Sequence, residues 1–253
     1  MSSIDTAAST AGARPVLPGL IPQNAQLLAR LTGILFMITF ATSIPPVVFF
    51  YVPALHDPSY VLGSGGDPRL AGGALLELLL IITNIGTAVA LFPVLRRQSE
   101  AMALGYVTAR LTECGFIAVG ILSLLALATL RQESAGADPA ALVVAGRSLV
   151  AIHDWTFLLG PGFVVGIGNG LILGYLMFTS RLVPRGLAVL GLVGGPLIVL
   201  SGTAILFGVI GPGSVWQGIA TVPEFFWELL LGIWLTIRGF SPPALSALDR
   251  RGS

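Results

Sequence analysis

Six long apolar stretches run along the chain, and each is long enough to cross a bilayer as a helix. A helix rises about 1.5 Å per residue, so about 20 apolar residues cross a hydrocarbon core of about 30 Å. The pattern predicts six spans, numbered 1 to 6 in chain order: residues 29–52, 70–95, 101–130, 148–179, 185–210 and 222–239. Pro45–Pro46, Pro161 and Pro196 lie inside spans and predict kinks. The predicted fold class is an all-α, integral membrane six-helix bundle.

The polar segments outside the spans predict three parts. We predict a disordered tail over residues 1–27, the six-span transmembrane domain over residues 28–242, and a second tail over residues 243–253. The first apolar run starts at Leu31, behind a leader that is rich in Ala, Ser and Pro and has no convincing small-residue cleavage site. We therefore expect no cleaved signal peptide.

The arginines outside the spans fall mainly on one side of the predicted membrane. Nine lie with the two termini and the 2–3 and 4–5 turns: Arg14, Arg30, Arg96, Arg97, Arg181, Arg185, Arg238, Arg250 and Arg251. The opposite side holds Arg69, Arg131 and Arg147. Cytoplasmic segments carry an excess of basic residues, so both termini are predicted to be cytoplasmic. Trp155, Trp216 and Trp227 fall near the opposite boundary, where an aromatic belt is expected.

The composition narrows the classes of partner. The chain of 253 residues is 55% hydrophobic and only 10% charged, with a mean hydropathy of +0.90. This composition predicts the lipid bilayer as a partner, and the net charge of +1 argues against nucleic acid. All 13 basic residues are arginine, which excludes chemistry on a lysine Schiff base. The single cysteine, Cys114, allows no internal disulfide, and we expect no metal and no cofactor.

Small residues in span 4 predict close helix packing. Glycine recurs at every fourth position, which places four of them on one helix face as a glycine zipper: Gly162, Gly166, Gly170 and Gly174. Span 5 has a shorter counterpart in Gly191 and Gly195. The pattern leaves open whether span 4 packs against span 5 of the same chain or against a second protomer in a homo-oligomer.

Five charged residues lie deep inside the predicted spans: Glu77, Arg110, Glu113, Asp154 and Glu228. Each charge at mid-helix costs roughly 2.5–3.5 kcal/mol, so such side chains are expected to face the bundle interior and to pair. Arg110 and Glu113 are three residues apart and can bridge each other. Glu77, Asp154 and Glu228 are predicted to share one level toward the outer leaflet.

Two further polar residues extend this predicted cluster, whereas a third acid does not. Asn84 lies on the same face of span 2 as Glu77, and His153 next to Asp154 is expected to titrate near neutral pH. Glu224 follows Pro223 at the predicted start of span 6. There a carboxylate favours the positive end of the helix dipole, which predicts a capping role.

Two interpretations of the cluster remain open. Four acids against one arginine leave groups that must be protonated, hydrated or bound to a cation. One interpretation is an outward-opening polar cavity, with Arg110 at its floor and the carboxylates as a proton or cation relay. In the other, Arg110 with Glu113 or Glu77 is a structural clamp and the remaining acids reach interfacial water.

Several sequence strings, in order, resemble a known family. They are GALLELL (73–79), LFPVLRR (91–97), ALGYVTARLTE (103–113), HDWTFLLGP (153–161), SRLVPRGLAVLGLVGG (180–195) and ELLLGIWLTIRGF (228–240). Together they resemble the bacterial membrane-protein family catalogued as domain of unknown function 4386, over about residues 28–242. The resemblance places Glu77, Arg110, Glu113, Asp154, Gly160, Pro161 and Glu228 on family motif positions. It departs at His153, where family members often carry arginine, and at Gly186, where they carry a bulky aromatic.

Three classes of function fit these observations. The first is a small transporter or permease-like protein of the bacterial cytoplasmic (inner) membrane, which moves a proton, a cation or a small solute. The second is a non-catalytic membrane partner or sensor in which the buried charges only hold the helices in register. A membrane-embedded enzyme acting on a lipid-like substrate is the least favoured class, because no hydrolase motif is present.

Overall fold

The computed structural model describes residues 24–133 and 135–250. Six helical segments are long and apolar enough to cross a membrane: Ala25–Phe50, Pro68–Leu95, Glu100–Gln132, Pro139–Ser180, Arg185–Leu206 and Val215–Ile237. They correspond to spans 1 to 6, and the described residues contain no strand. The predicted all-α, six-span fold is confirmed. Spans 4 and 6 begin well before their predicted starts, because the mixed polarity of their first turns hid the helix.

The six spans form a closed ring. Each span packs against the next in chain order, and span 6 completes the ring against span 1. Because the number of spans is even, the start of span 1 and the end of span 6 lie on one side of the bundle, which we call the terminal face. The opposite side, the loop face, carries the connections 51–67, 133–138 and 207–214.

Side-chain caps define where most spans begin. Asp67, Ser99, Asp138 and Ser214 each accept a hydrogen bond from a backbone amide of the first helical turn. These caps satisfy donors that a helix start leaves unpaired. Span 4 ends at Arg181, which adopts a left-handed conformation with φ 59° and turns the chain sharply into span 5.

Span 4 is not a regular α-helix in its middle. Two π-helical segments, Leu158–Val164 and Gly166–Leu173, join the α-helices Pro139–Phe157 and Gly174–Ser180. Pro161, predicted to kink the span, lies inside the first π segment, where its missing amide N–H suits a widened turn. A third π segment, Pro46–Phe50, follows the proline pair in span 1, whereas Pro196 lies within a continuous α-helix.

Glycines bring spans 4 and 5 into backbone contact. A Cβ atom added at Gly166 would lie 2.7 Å from the carbonyl oxygen of Gly195, and one at Gly170 would lie 2.4 Å from the Cα of Gly195. One at Gly174 would lie 3.2 Å from the Leu192 amide nitrogen. Gly162 does not share this contact, because the nearest atoms belong to its own segment. The observed partner of this stripe is therefore span 5 of the same chain.

The two ends of the transmembrane region are joined at the terminal face. The Gln26 side-chain amide donates to the Phe240 carbonyl oxygen at 2.7 Å, and the Phe240 amide donates to the Gln26 side-chain oxygen at 3.0 Å. Gly33 lies so close to span 6 that an added Cβ atom would be 2.4 Å from the Thr236 amide nitrogen. Spans 1 and 6 are thus held tightly at their terminal-face halves.

The predicted tails differ from the structure where it describes them. Within the predicted carboxyl-terminal tail, residues Pro242–Asp249 form a short helix whose Ala244 and Leu248 join the main apolar core. Residues 1–23 of the predicted amino-terminal tail lie outside the described residues, and Ala25 already belongs to span 1.

We predict that Gly195→Ala destabilises the bundle by about 1–3 kcal/mol, the typical cost of overpacking a tight core. Its new methyl group would meet the Gly166 carbonyl oxygen at 2.4 Å, and backbone cannot move aside easily. Thermal unfolding in detergent measures the effect. Gly115→Ala in span 3 is the matched control, because no atom lies within 4 Å of the added Cβ position. Equal unfolding midpoints for the two variants would contradict the proposed close contact.

Candidate functional site

A cavity of about 330 Å³ lies inside the ring and is lined by residues from all six spans. Six of its lining residues carry strongly polar side chains: Glu77, Asn84, Arg110, Glu113, Glu224 and Glu228. Spans 2, 3 and 6 supply this polar set. Most of the remaining lining is apolar, so the cavity combines a charged interior with hydrophobic walls.

The polar core of the cavity is a three-residue network around Arg110. The guanidinium donates to a Glu113 carboxylate oxygen at 2.8 Å and to the Asn84 side-chain oxygen at 2.5 Å. The Asn84 amide in turn donates to the other Glu113 oxygen at 3.1 Å. Arg110 and Glu113 are 3% and 5% exposed, and the Phe36 ring of span 1 lies 5.9 Å from the guanidinium carbon. Because both terminal nitrogens are engaged, this network joins spans 2 and 3 rigidly.

Glu77 lies closer to the loop face, apart from this network. Its carboxylate accepts a hydrogen bond from the Tyr51 hydroxyl at 2.9 Å. Tyr51 is fully buried directly after the π segment of span 1, and its ring meets the edge of the His153 ring at 5.7 Å between centroids. Thus Glu77 is held by the residue that follows span 1 and not by Arg110.

Glu228 is bound to span 4. The Asn169 side-chain amide donates to the Glu228 carboxylate, and the backbone carbonyl of Asn169 accepts a hydrogen bond from the Trp227 indole at 2.9 Å. Asn169 is fully buried in the second π segment. The widened turn of that segment therefore presents Asn169 to two consecutive residues of span 6.

Glu224 is the cavity residue that the sequence analysis assigned differently. Span 6 begins at Val215, so Glu224 lies well inside the helix and not at its start, and it is only 2% exposed. Neither carboxyl oxygen has a hydrogen-bond donor among the described residues. The predicted capping role is therefore wrong. One signal in the sequence could have identified Glu224 as a cavity residue. It lies four residues before Glu228, and this spacing places both acids on one helix face.

Asp154 and His153 do not join the cavity. The Asp154 side chain is 64% exposed and borders a separate surface pocket next to the connection 51–67. His153 is buried, with its Nδ1 atom 3.5 Å from Asp154 and its ring against Tyr51 and Phe157. Asp154 is therefore not part of the polar cluster inside the bundle to which the sequence analysis assigned it, because its side chain points away from the ring.

The tryptophans also divide into two groups. Trp155 and Trp216 are 44% and 68% exposed, as interfacial side chains would be, whereas Trp227 is fully buried in the core. Its indole N–H needs an acceptor inside the protein, and the Asn169 carbonyl provides one. Trp227 therefore positions span 4 and is not part of a belt.

The loop face carries a second polar cluster, between the end of span 3 and the connection 51–67. Arg131 stacks over the Tyr60 ring at 4.5 Å and donates to the Tyr60 carbonyl oxygen, while the Tyr60 hydroxyl donates to Asp67 at 2.8 Å. Partial burial opposes ionisation of Asp67, but hydrogen bonds from Tyr60 and from the Arg69 amide prevail and hold its pKa below the usual value. This cluster fixes the connection 51–67 against the end of span 3.

No group of three potential metal ligands among His, Cys, Asp and Glu gathers in residues 24–133 and 135–250. The carboxylates of the cavity instead contact amides, a hydroxyl and a guanidinium, or no donor in the described part of the chain.

The ring of six spans, with acids and one arginine at its centre, defines a multi-pass membrane protein with an internal polar cavity. Residues 31–239 match the family described as Domain of unknown function (DUF4386), and the chain belongs to this family. Comparisons with curated proteins and with solved structures returned no match. The family description carries no activity, so function must be inferred from the cavity.

We predict that Arg110→Met lowers stability by about 3–5 kcal/mol, because it leaves the Glu113 carboxylate buried without its cation. Glu113→Gln is expected to have a comparable effect, since it leaves the guanidinium unneutralised. The double variant should cost much less than the sum of the two single variants. A double-mutant cycle on unfolding in detergent measures this coupling. Additive effects would show that the two side chains do not act as a pair.

Proposed function

We propose that this protein is a small permease-like transporter that moves a proton, a cation or a small solute through its acid-lined cavity. The observation that carries the proposal is the charge imbalance of the lining, in which four glutamates accompany one arginine. Ionisable residues within membrane spans are costly, and they commonly mark ion or proton pathways.

The position of the cavity also supports transport. Its lining includes exposed side chains in the loop-face half, namely Ile44, Val48, Phe157 and Phe225, which we call the mouth residues. The Arg110 network lies farther inside, in the terminal-face half of span 3. The exposed part of the lining therefore lies in one half of the bundle and the charged floor lies deeper, which supports access to the site from that half.

A second candidate function is that of a non-catalytic membrane partner or sensor. The observation in its favour is the complete engagement of the two terminal nitrogens of Arg110 by Glu113 and Asn84. This arrangement serves as a clamp between spans 2 and 3. The clamp does not involve Glu77, Glu224 or Glu228, so it accounts for only one of the four acids.

We further propose that the protein resides in a bacterial cytoplasmic membrane with its terminal face in the cytoplasm. The excess of arginines beside the termini and the turns 96–99 and 181–184 supports this orientation.

The orientation predicts the accessibility of single cysteines, since Cys114 is the only native one and is buried. On a Cys114→Ser background, Glu133→Cys at the loop face should react with a membrane-impermeant maleimide in intact cells. Ala247→Cys, on the exposed side of the terminal-face helix, should react only after the membrane is opened. The reverse pattern would contradict the proposed orientation.

We predict that purified protein in liposomes carries a flux that depends on Glu77. A pH-sensitive dye and an ion panel of protons, sodium, potassium and organic ammonium ions report the flux. Glu77→Gln should reduce it to the level of protein-free liposomes, because a relay through this acid needs its charge. Asp154→Asn is the matched control, since that carboxylate lies outside the cavity, and it should retain the wild-type flux. No flux of any ion with wild-type protein would reject proton and cation transport and favour the clamp.

A further inference from the structure

The Glu224 carboxyl group has no hydrogen-bond donor within the described part of the protein. It is 2% exposed, lines the cavity, and neither oxygen accepts a hydrogen bond from a described residue. Its Oε2 atom lies 2.8 Å from where a Cβ would stand at Gly170 and at Gly194, so glycines on spans 4 and 5 make room for it. Buried polar groups nearly always have a partner, and an exception requires an explanation.

Glu228 increases the need for a positive partner at this position. It lies one helical turn from Glu224 on the same face of span 6, where like charges repel. Asn169 donates one hydrogen bond to Glu228, which adds no positive charge. Arg110 directs its terminal nitrogens to Glu113 and Asn84. The pair of acids on span 6 thus forms the less neutralised side of the cavity.

The remaining walls favour an organic cation over a metal ion. Phe40 and Phe225 meet edge to face with 5.3 Å between ring centroids, and Phe157 lines the same cavity. Inorganic cations need several oxygen ligands to replace their hydration shell, which aromatic walls do not supply. Aromatic faces attract organic ammonium ions, and a volume of about 330 Å³ suits a small molecule.

We propose that the cavity binds an organic ammonium ion with an apolar body, and that its cationic nitrogen sits between Glu224 and Glu228. The apolar body packs against Phe40, Phe157 and Phe225. This inference rests on the proposed function, because it names the substrate class of the same cavity. The ammonium group belongs either to a free amine or to the headgroup of a phospholipid, since the mouth residues are apolar and exposed.

The test compares two ligands of equal shape in the purified full-length protein. Benzyltrimethylammonium carries a permanent positive charge, and neopentylbenzene replaces its nitrogen by carbon. Calorimetry in detergent should show saturable binding of the cation and binding of the neutral compound that is at least about tenfold weaker, as expected for the loss of the Coulombic attraction to the carboxylates and of the cation–π attraction to the rings. Equal affinity for the two compounds would overturn the proposal.

Two variants locate the bound cation. Glu224→Gln keeps the shape of the side chain and removes its charge, so it should weaken benzyltrimethylammonium binding by about tenfold or more. Glu133→Gln removes an exposed carboxylate at the loop face and should bind like the wild type. Unfolding midpoints show whether both variants remain folded, and Glu228→Gln replaces Glu224→Gln if the latter does not. Unchanged affinity in every folded cavity variant would overturn the proposal.

Nanodiscs distinguish the source of the ammonium group. If phosphatidylethanolamine discs weaken benzyltrimethylammonium binding relative to discs of a galactolipid, which is also uncharged overall but has no ammonium group, the headgroup occupies the site; equal binding in both assigns the site to a free amine. Either result supports recognition of an ammonium ion. The experiments also distinguish failure of this inference from failure of the proposed transport function. Flux of protons without ammonium binding rejects this inference alone, whereas ammonium binding without any flux rejects transport alone.

Discussion

A charged side chain inside a bilayer must find its counter-charge within the protein, and this constraint organises the structure. Arginine keeps its proton in any protein environment, so Arg110 requires an anion inside the bundle. Glu113, on the same helix, provides it, and Asn84 of span 2 joins both side chains. Once this network is buried, spans 2 and 3 have a fixed register. The other four spans complete the ring around it, held partly by glycine contacts that replace the hydrophobic effect as the source of helix association.

The fold was predictable from the sequence because apolar length is a strong signal. A segment such as 101–130 has few alternatives to a membrane helix, and its observed bounds, Glu100–Gln132, are close. The boundaries failed where polar and apolar residues mix, as in the first turns of span 6, and this error moved Glu224 from the membrane interior to a predicted helix end. The Arg110–Glu113 contact was predictable because it is local, being three residues apart on one helix.

Contacts that depend on helix rotation were not predictable in the same way. The sequence predicts the same depth for Asp154 and Glu77, yet Asp154 faces outward because the rotation of span 4 is set by its packing against span 3. The two π segments further change which residues share a face, so a rule of every fourth residue places Gly162 incorrectly while retaining Gly166, Gly170 and Gly174. The contact of Asn169 with span 6 was also not predictable, because it depends on a widened turn of the second π segment.

The uneven seam between spans 1 and 6 has a mechanical consequence. The seam is tight at the terminal face, where Gln26 and Phe240 exchange two hydrogen bonds and Gly33 allows backbone contact with Thr236. Toward the loop face the same two spans diverge around the cavity and touch through the rings of Phe40 and Phe225. Such a pair of helices is held firmly at the terminal face and more loosely toward the loop face. Separating the two phenylalanine rings would therefore break fewer contacts than separating the terminal-face ends, and it would widen the route to the acids.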